Sequence, residues 1–255
     1  MRRFLILMSL LLSLAATSQT PEADTLKLKA SLSLSGIYQT GNVQTLIFRA
    51  KSDISYRPWR KWVYNNRTSY LYQAFDREKA DQDIVSLNFL YFNPDQRFYP
   101  QLIGIAATNF RRRIDFRSLV GAGFTYRVFR KENNWLKISL SSEYENTFFS
   151  ESDFNIDEYD GTTSIPTLRG TLWLNGRYHI LGESIIFSHE AYIQPSLEES
   201  NNYRWQADLS LEFPLKKYLN FKINYLHTYE NIVVADQKRQ DRILTFGFNL
   251  KNYKN

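Results

Sequence analysis

The chain contains no cysteine, which excludes disulfide bracing, thiolate metal sites and a cysteine nucleophile. Histidine is scarce: His179, His189 and His227 are widely spaced, and no carboxylates cluster beside them on one strand face, so no metal centre is indicated. A glycine-rich phosphate loop is also missing, since Gly121 and Gly123 fall inside a strand pattern, where they create internal space or a bend. No apolar run reaches the roughly 18 to 20 residues that a transmembrane helix needs. Charge of one sign does not accumulate either. The 32 Lys and Arg and 26 Asp and Glu are interleaved, so the modest basic excess leaves no nucleic-acid footprint.

What is present begins with an export signal. Arg2 and Arg3 precede the apolar run Phe4 to Leu14, and Ala16-Thr17-Ser18 supplies small residues before Gln19. This predicts a cleaved signal peptide over 1–18, a short mature segment over 19–25 and one domain over 26–253. Because no cysteine follows the apolar run, a lipidated N-terminus is excluded.

Strict alternation follows at once. Leu26, Leu28, Ala30, Leu32 and Leu34 share one face, and Lys27, Lys29, Ser31, Ser33 and Ser35 the other. After the Thr40-Gly41-Asn42 turn the pattern resumes with Leu46, Phe48, Ala50, Ile54 and Tyr56 against Arg49, Lys51, Asp53, Ser55 and Arg57. It returns at 136–148 and 203–213, and further strands are predicted near 62–74, 84–92, 100–110, 116–129, 167–179, 184–195, 219–229 and 242–252. Connections alternate in length. The longer set is Asp76–Asp83, Arg111–Asp115, the acidic Ser150–Ile165, Leu197–Asn202 and Asn231–Asp241, as outer loops and periplasmic turns do in outer-membrane barrels.

The expected fold is therefore all-β: a transmembrane antiparallel up-and-down β-barrel of about 12 strands, placed in the cell outer membrane. Alternation alone does not separate it from a soluble periplasmic sandwich. Strand length favours the barrel, because about 9 to 11 tilted residues cross the hydrocarbon layer. So do aromatic residues near strand ends, where a girdle would sit: Tyr38, Tyr56, Trp59, Trp62, Tyr72, Tyr91, Tyr126, Tyr178, Tyr203, Tyr225, Tyr229 and Tyr253. Three segments resist the scheme. The 100–110 strand shows no choice of face, an inward Arg67 turns Asn66 toward lipid, and the adjacent His189 and Glu190 call for a bulge unless Glu190 points inward and leaves His189 outside.

With the pattern laid out, the chain resembles the outer-membrane family catalogued as domain of unknown function 481 (DUF481), also described as salt-induced outer-membrane proteins. The resemblance is carried by the opening Leu34-Ser35-Gly36-Ile37-Tyr38-Gln39-Thr40-Gly41-Asn42, the Gly121-Ala122-Gly123-Phe124-Thr125-Tyr126-Arg127 segment and the closing Asp241-Arg242-Ile243-Leu244-Thr245-Phe246-Gly247-Phe248. Ser188-His189-Glu190 and Asp208-Leu209-Ser210-Leu211-Glu212-Phe213-Pro214-Leu215 lie between them. It implies an outer-membrane barrel and no established chemistry. The chain departs from a common barrel ending, because Lys254 and Asn255 follow Tyr253 in place of a terminal aromatic.

Function is expected to be passive. Candidate lumen-lining residues are Lys27, Lys29, Arg49, Lys51, Asp53, Arg57, Arg127, Glu143, Glu145, Arg169, Arg177, Glu190, Arg204, Asp208, Glu212 and Lys222, joined by Arg117. Their basic excess predicts a narrow channel for small, weakly anion-preferring solutes. The alternative is a structural envelope barrel whose charges pair and plug the lumen. A lipid hydrolase is a third class. It fails on parity, since outward His189 and His227 flank a strand whose outward Trp205, Ala207 and Leu209 offer no hydroxyl. The acidic Glu151, Asp153, Asp157, Glu158 and Asp160 lack the regular spacing of a calcium loop. No cofactor is expected. The expected partners are outer-membrane lipid, the β-barrel assembly machinery and small solutes, with no nucleic acid.

Overall fold

The computed structural model describes residues 27–40, 44–131, 134–216 and 219–250. The expected signal peptide, the 19–25 segment and Tyr253 lie outside these residues. Twelve strands follow in chain order: β1 (Leu28–Gln39), β2 (Thr45–Trp59), β3 (Trp62–Phe75), β4 (Glu78–Phe92), β5 (Phe98–Asn109), β6 (Ile114–Lys131), β7 (Asn134–Phe149), β8 (Ser164–Ile180), β9 (Ile185–Pro195), β10 (Tyr203–Lys216), β11 (Leu219–Glu230) and β12 (Gln240–Leu250). Each pairs antiparallel with the next in one meander sheet.

Alternation makes these segments strands and also sorts their faces. On β7, Ser139, Ser141, Glu143, Glu145 and Thr147 are buried while Ile138, Leu140, Tyr144 and Phe148 are exposed. Leu140 is 64% exposed and Glu145 1%, the reverse of a water-soluble sandwich, whose apolar face is the buried one. The reversal extends over the sheet: Phe98, Leu102, Val120, Phe124, Leu172, Ile193 and Leu211 are all exposed.

The sheet is rolled. Six steps across a flat sheet would separate β3 from β9 by roughly 29 Å, yet Arg67 on β3 lies 3.2 Å from Glu190 on β9. Phe89 on β4 meets Trp173 on β8 edge to face at 6.3 Å, and Arg117 on β6 meets Glu230 on β11 at 2.9 Å. Lys51 on β2 is within electrostatic reach of Asp208 and Lys222 on β10 and β11. The result is a twelve-stranded barrel, although a β1–β12 ladder is not among the described pairings.

Gly121 and Gly123 let β6 lie close against β7. A Cβ at Gly121 would sit 2.2 Å from the Ser142 carbonyl, and one at Gly123 would sit 2.3 Å from that of Leu140. At one end two connections, 150–163 and 231–239, fold onto each other as a lid. Phe154 bridges to Val234, the Ala235 amide donates to Asp153 O at 2.8 Å, and Val233 donates to Asn155 Oδ1 at 2.8 Å. Beneath them Ile114, Phe149, Phe154, Tyr159, Ile165, Ile232 and Val234 form a buried apolar cluster.

Two expectations need correction. The Asp76–Asp83 loop is only the two-residue turn Asp76-Arg77, both at positive φ (49° and 70°), as a tight hairpin turn demands. Charged Lys79 and Asp81 read as loop, but Asp81 turns inward from β4, 1% exposed and 2.9 Å from Arg111. Tyr91 belongs to no girdle. It is buried in an interior apolar cluster with Val63, Phe89, Tyr99, Ile103 and Leu119. That cluster also explains why 100–110 hid its faces: β5 is apolar outward at Leu102 and inward at Tyr99 and Ile103. His189 and Glu190 need no bulge: they pair in regular register with both neighbours, with Glu190 inward against Arg67 and His189 outward, the arrangement the alternation favoured.

Candidate functional site

The interior charges form a connected ladder near the lid end. Glu145 projects inward from β7, where Arg169 of β8 donates to it at 3.0 Å and Arg204 of β10 at 3.1 Å, with a second, shorter bond from Arg204. Arg117 Nε lies 3.8 Å from the same carboxylate and donates to Thr147 Oγ1 at 3.0 Å. Its two terminal nitrogens grip Glu230 at 2.9 Å each, a fork geometry that fixes both side chains. Arg112, from the β5–β6 connection, continues the chain to Asp241 at 2.7 Å and approaches Glu230 at 3.8 Å. Asn202 and Gln194 complete the shell, receiving bonds from Arg169 (2.8 Å) and Arg204 (2.6 Å). Within the ladder Arg117, Glu145, Arg169, Asn202, Arg204 and Glu230 line a cavity of about 20 Å³, room for one water-sized species.

Toward the other end the interior is filled differently. Glu143 accepts from Thr171 at 2.7 Å and from Ser141. Glu212 accepts from Asn220 at 3.1 Å, with Arg177 and Lys222 each at 4.0 Å. Arg57 and Arg127 clamp the β4–β5 turn: Arg57 reaches Asp95 at 3.2 Å, and Arg127 donates to the Pro94 and Asp95 carbonyls. These two hold a turn at the rim rather than face an open bore.

Among the described residues, the most water-accessible inner-face charge lies on one side. Arg49, Lys51 and Asp53 of β2 are exposed although they share the inward face with Arg67, and the Lys222 side chain is 39% exposed. Asp208 lies beside them and accepts a bond from Asn224. Lys27, just before β1, is exposed, and Lys29 is placed only by its backbone pairing with Ser55. The described side chains named from sequence thus separate into the buried ladder, smaller buried groups around Glu143 and Glu212, the Arg67–Glu190 pair, turn clamps and an open basic lane.

Arg112, Glu230, Asp241 and Asp81 escaped sequence reasoning because they sit in or beside connections, where alternation carries no information. Their only signal was charge next to a strand end.

On the outer face, Asn66 donates to Asn88 Oδ1 at 2.8 Å and to Ser86 Oγ at 3.2 Å, and the Tyr64 hydroxyl donates to Asn88 Oδ1 at 2.7 Å. The outward amide is satisfied by its neighbours, not by solvent. His189 stacks on Tyr178 (centroids 5.7 Å apart) above Gly176, where a Cβ would meet the ring at 2.4 Å. His227 packs on Trp205 and lies 3.3 Å from Gln240 and 3.4 Å from Arg242. Neither imidazole is hydrogen-bonded to a serine among the described residues. The acidic connection is used structurally: Asp160 accepts the Phe154 amide at 2.8 Å and Glu151 pairs with Arg113 at 3.1 Å.

No curated protein matches the chain. Among solved structures it is similar to the NanC porin, with a TM-score of 0.48 and 10% identity, over 87% of this chain and all of that one. The family model described as a protein of unknown function, DUF481, matches residues 32–251, so this twelve-stranded chain belongs to the DUF481 family.

Proposed function

We propose that the protein is an outer-membrane barrel that passes small anionic solutes along a narrow lane at the β1–β2 and β11–β12 side of its interior. Support for the membrane comes from the inverted burial: a cylinder with Leu140, Val120 and Phe124 outside and Glu143, Glu145 and Glu212 inside hides its apolar surface only in hydrocarbon. The lid end is then the outer face. The observation that carries the lane is the contrast between the exposed Arg49 and Lys51 and the buried ladder opposite them. A basic wall in a confined bore concentrates anions.

Conductance in planar bilayers under a salt gradient tests this. Small single-channel steps with an anion-selective reversal potential are expected, and Lys51→Glu with Arg49→Glu should move that potential toward cation selectivity. Electrical silence of correctly folded protein refutes the lane. It would favour a second reading, a plugged envelope barrel, which the ladder, the apolar cluster around Phe89 and the folded lid support.

A further inference from the structure

The buried ladder does not balance. Arg112 is matched at 2.7 Å by Asp241, which is partly open to solvent, and comes no nearer than 3.8 Å to Glu230. Of the charged groups lining the cavity inward of it, Arg117, Arg169 and Arg204 are ion-paired with Glu145 and Glu230, three guanidinium groups to two carboxylates, while buried Glu143, in register opposite Arg169, accepts from Thr171 and Ser141. The five ion-paired side chains are 16% exposed or less. An uncompensated buried charge is expensive and draws in a counter-ion where one fits. Arg169 Nε is buried with no hydrogen-bond partner, and Arg169 lines the cavity between these groups.

We infer that this cavity is a binding site for one small monovalent anion of halide size, held by Arg117, Arg169 and Arg204. A halide occupies about the volume of a water molecule, which the cavity accommodates. A single negative charge brings the three cations and two carboxylates to neutrality. Larger oxyanions would have to displace Glu145 from its bonds to Arg169 and Arg204. The site goes beyond the proposed lane and does not require that the barrel conduct, since the ion serves as a resident counter-ion of the packed interior.

The test uses the processed, detergent-solubilised protein at constant ionic strength, melted in chloride and in gluconate, an anion too large for the cavity. Chloride should raise the unfolding temperature by about 3–6 °C for each tenfold rise above its Kd. Arg169→Gln, which balances the charges, should abolish the difference. Lys51→Gln, which removes the same charge from the open lane, should retain it. Crystals grown in bromide should show an anomalous peak within hydrogen-bond reach of Arg169 Nε, a readout that stands even if Arg169→Gln fails to fold. Coinciding melts in the two salts, a chloride effect surviving in Arg169→Gln, or a cavity without bromide would each overturn the site. Electrical silence would remove the lane and leave this site standing.

Discussion

Replacing Glu145 by Gln keeps the size of the side chain and removes its charge, leaving Arg117, Arg169 and Arg204 to face Glu230 alone. Breaking one partner out of a buried ion network costs about 3–5 kcal/mol, because the charges left behind are desolvated and unpaired. Arg169 and Arg204 keep other acceptors in Asn202 and Gln194, which places the loss near the lower figure. At roughly 2–4 °C per kcal/mol for a chain of this size, about 3 kcal/mol is a drop of about 6–12 °C in unfolding temperature. The assay is the temperature at which the folded, fast-migrating gel band gives way to the unfolded one, checked by tryptophan fluorescence. A loss below about 1 kcal/mol, the range of exposed ion pairs, would mean that water fills the ladder and would refute the reasoning that it is a packed plug. The variant should also depend more steeply on chloride than the parent.

Gly121→Ala pushes a methyl group into the Ser142 carbonyl and Glu143, so overpacking of at least about 1–3 kcal/mol is expected in the same melt. Asn88→Leu strands the Tyr64 hydroxyl and leaves the Asn66 amide with Ser86 alone on the outer face, at about 1–3 kcal/mol. Adding Asn66→Leu should recover part of that loss, and a double-mutant cycle showing simple additivity would argue against the cluster. In the lid, burial and a hydrogen bond to Glu199 raise the pKa of Tyr159 above the ordinary phenol value. Its folded form holds the proton more tightly than the unfolded one, so its contribution to stability is intact below about pH 10 and is lost as pH rises beyond it. Ultraviolet titration should therefore show one fewer phenol ionising in the normal range than in Tyr159→Phe corrected for the lost chromophore, and equal counts would refute the contact.

Alternation alone determined the strand class, the approximate number of strands and the inward direction of Glu143, Glu145, Arg169 and Arg204, because a period of two assigns each residue to a face without reference to any distant segment. It also foretold that Arg67 and Glu190 point inward. What it could not supply was which inward residues meet. Arg67 and Glu190 are 123 positions apart in the chain, and only the rolling of the sheet makes them an ion pair. The same rolling decided that Tyr91, Tyr99 and Ile103 pack inside as an apolar filling, a face that looks lipid-directed when a strand is read alone. Arg112 entered the ladder from a connection, and Glu230 and Asp241 from the ends of β11 and β12, where periodicity carries little information. Whether inward charge lies buried or open to water was likewise settled by tertiary structure, because burial depends on the side chains arriving from across the barrel.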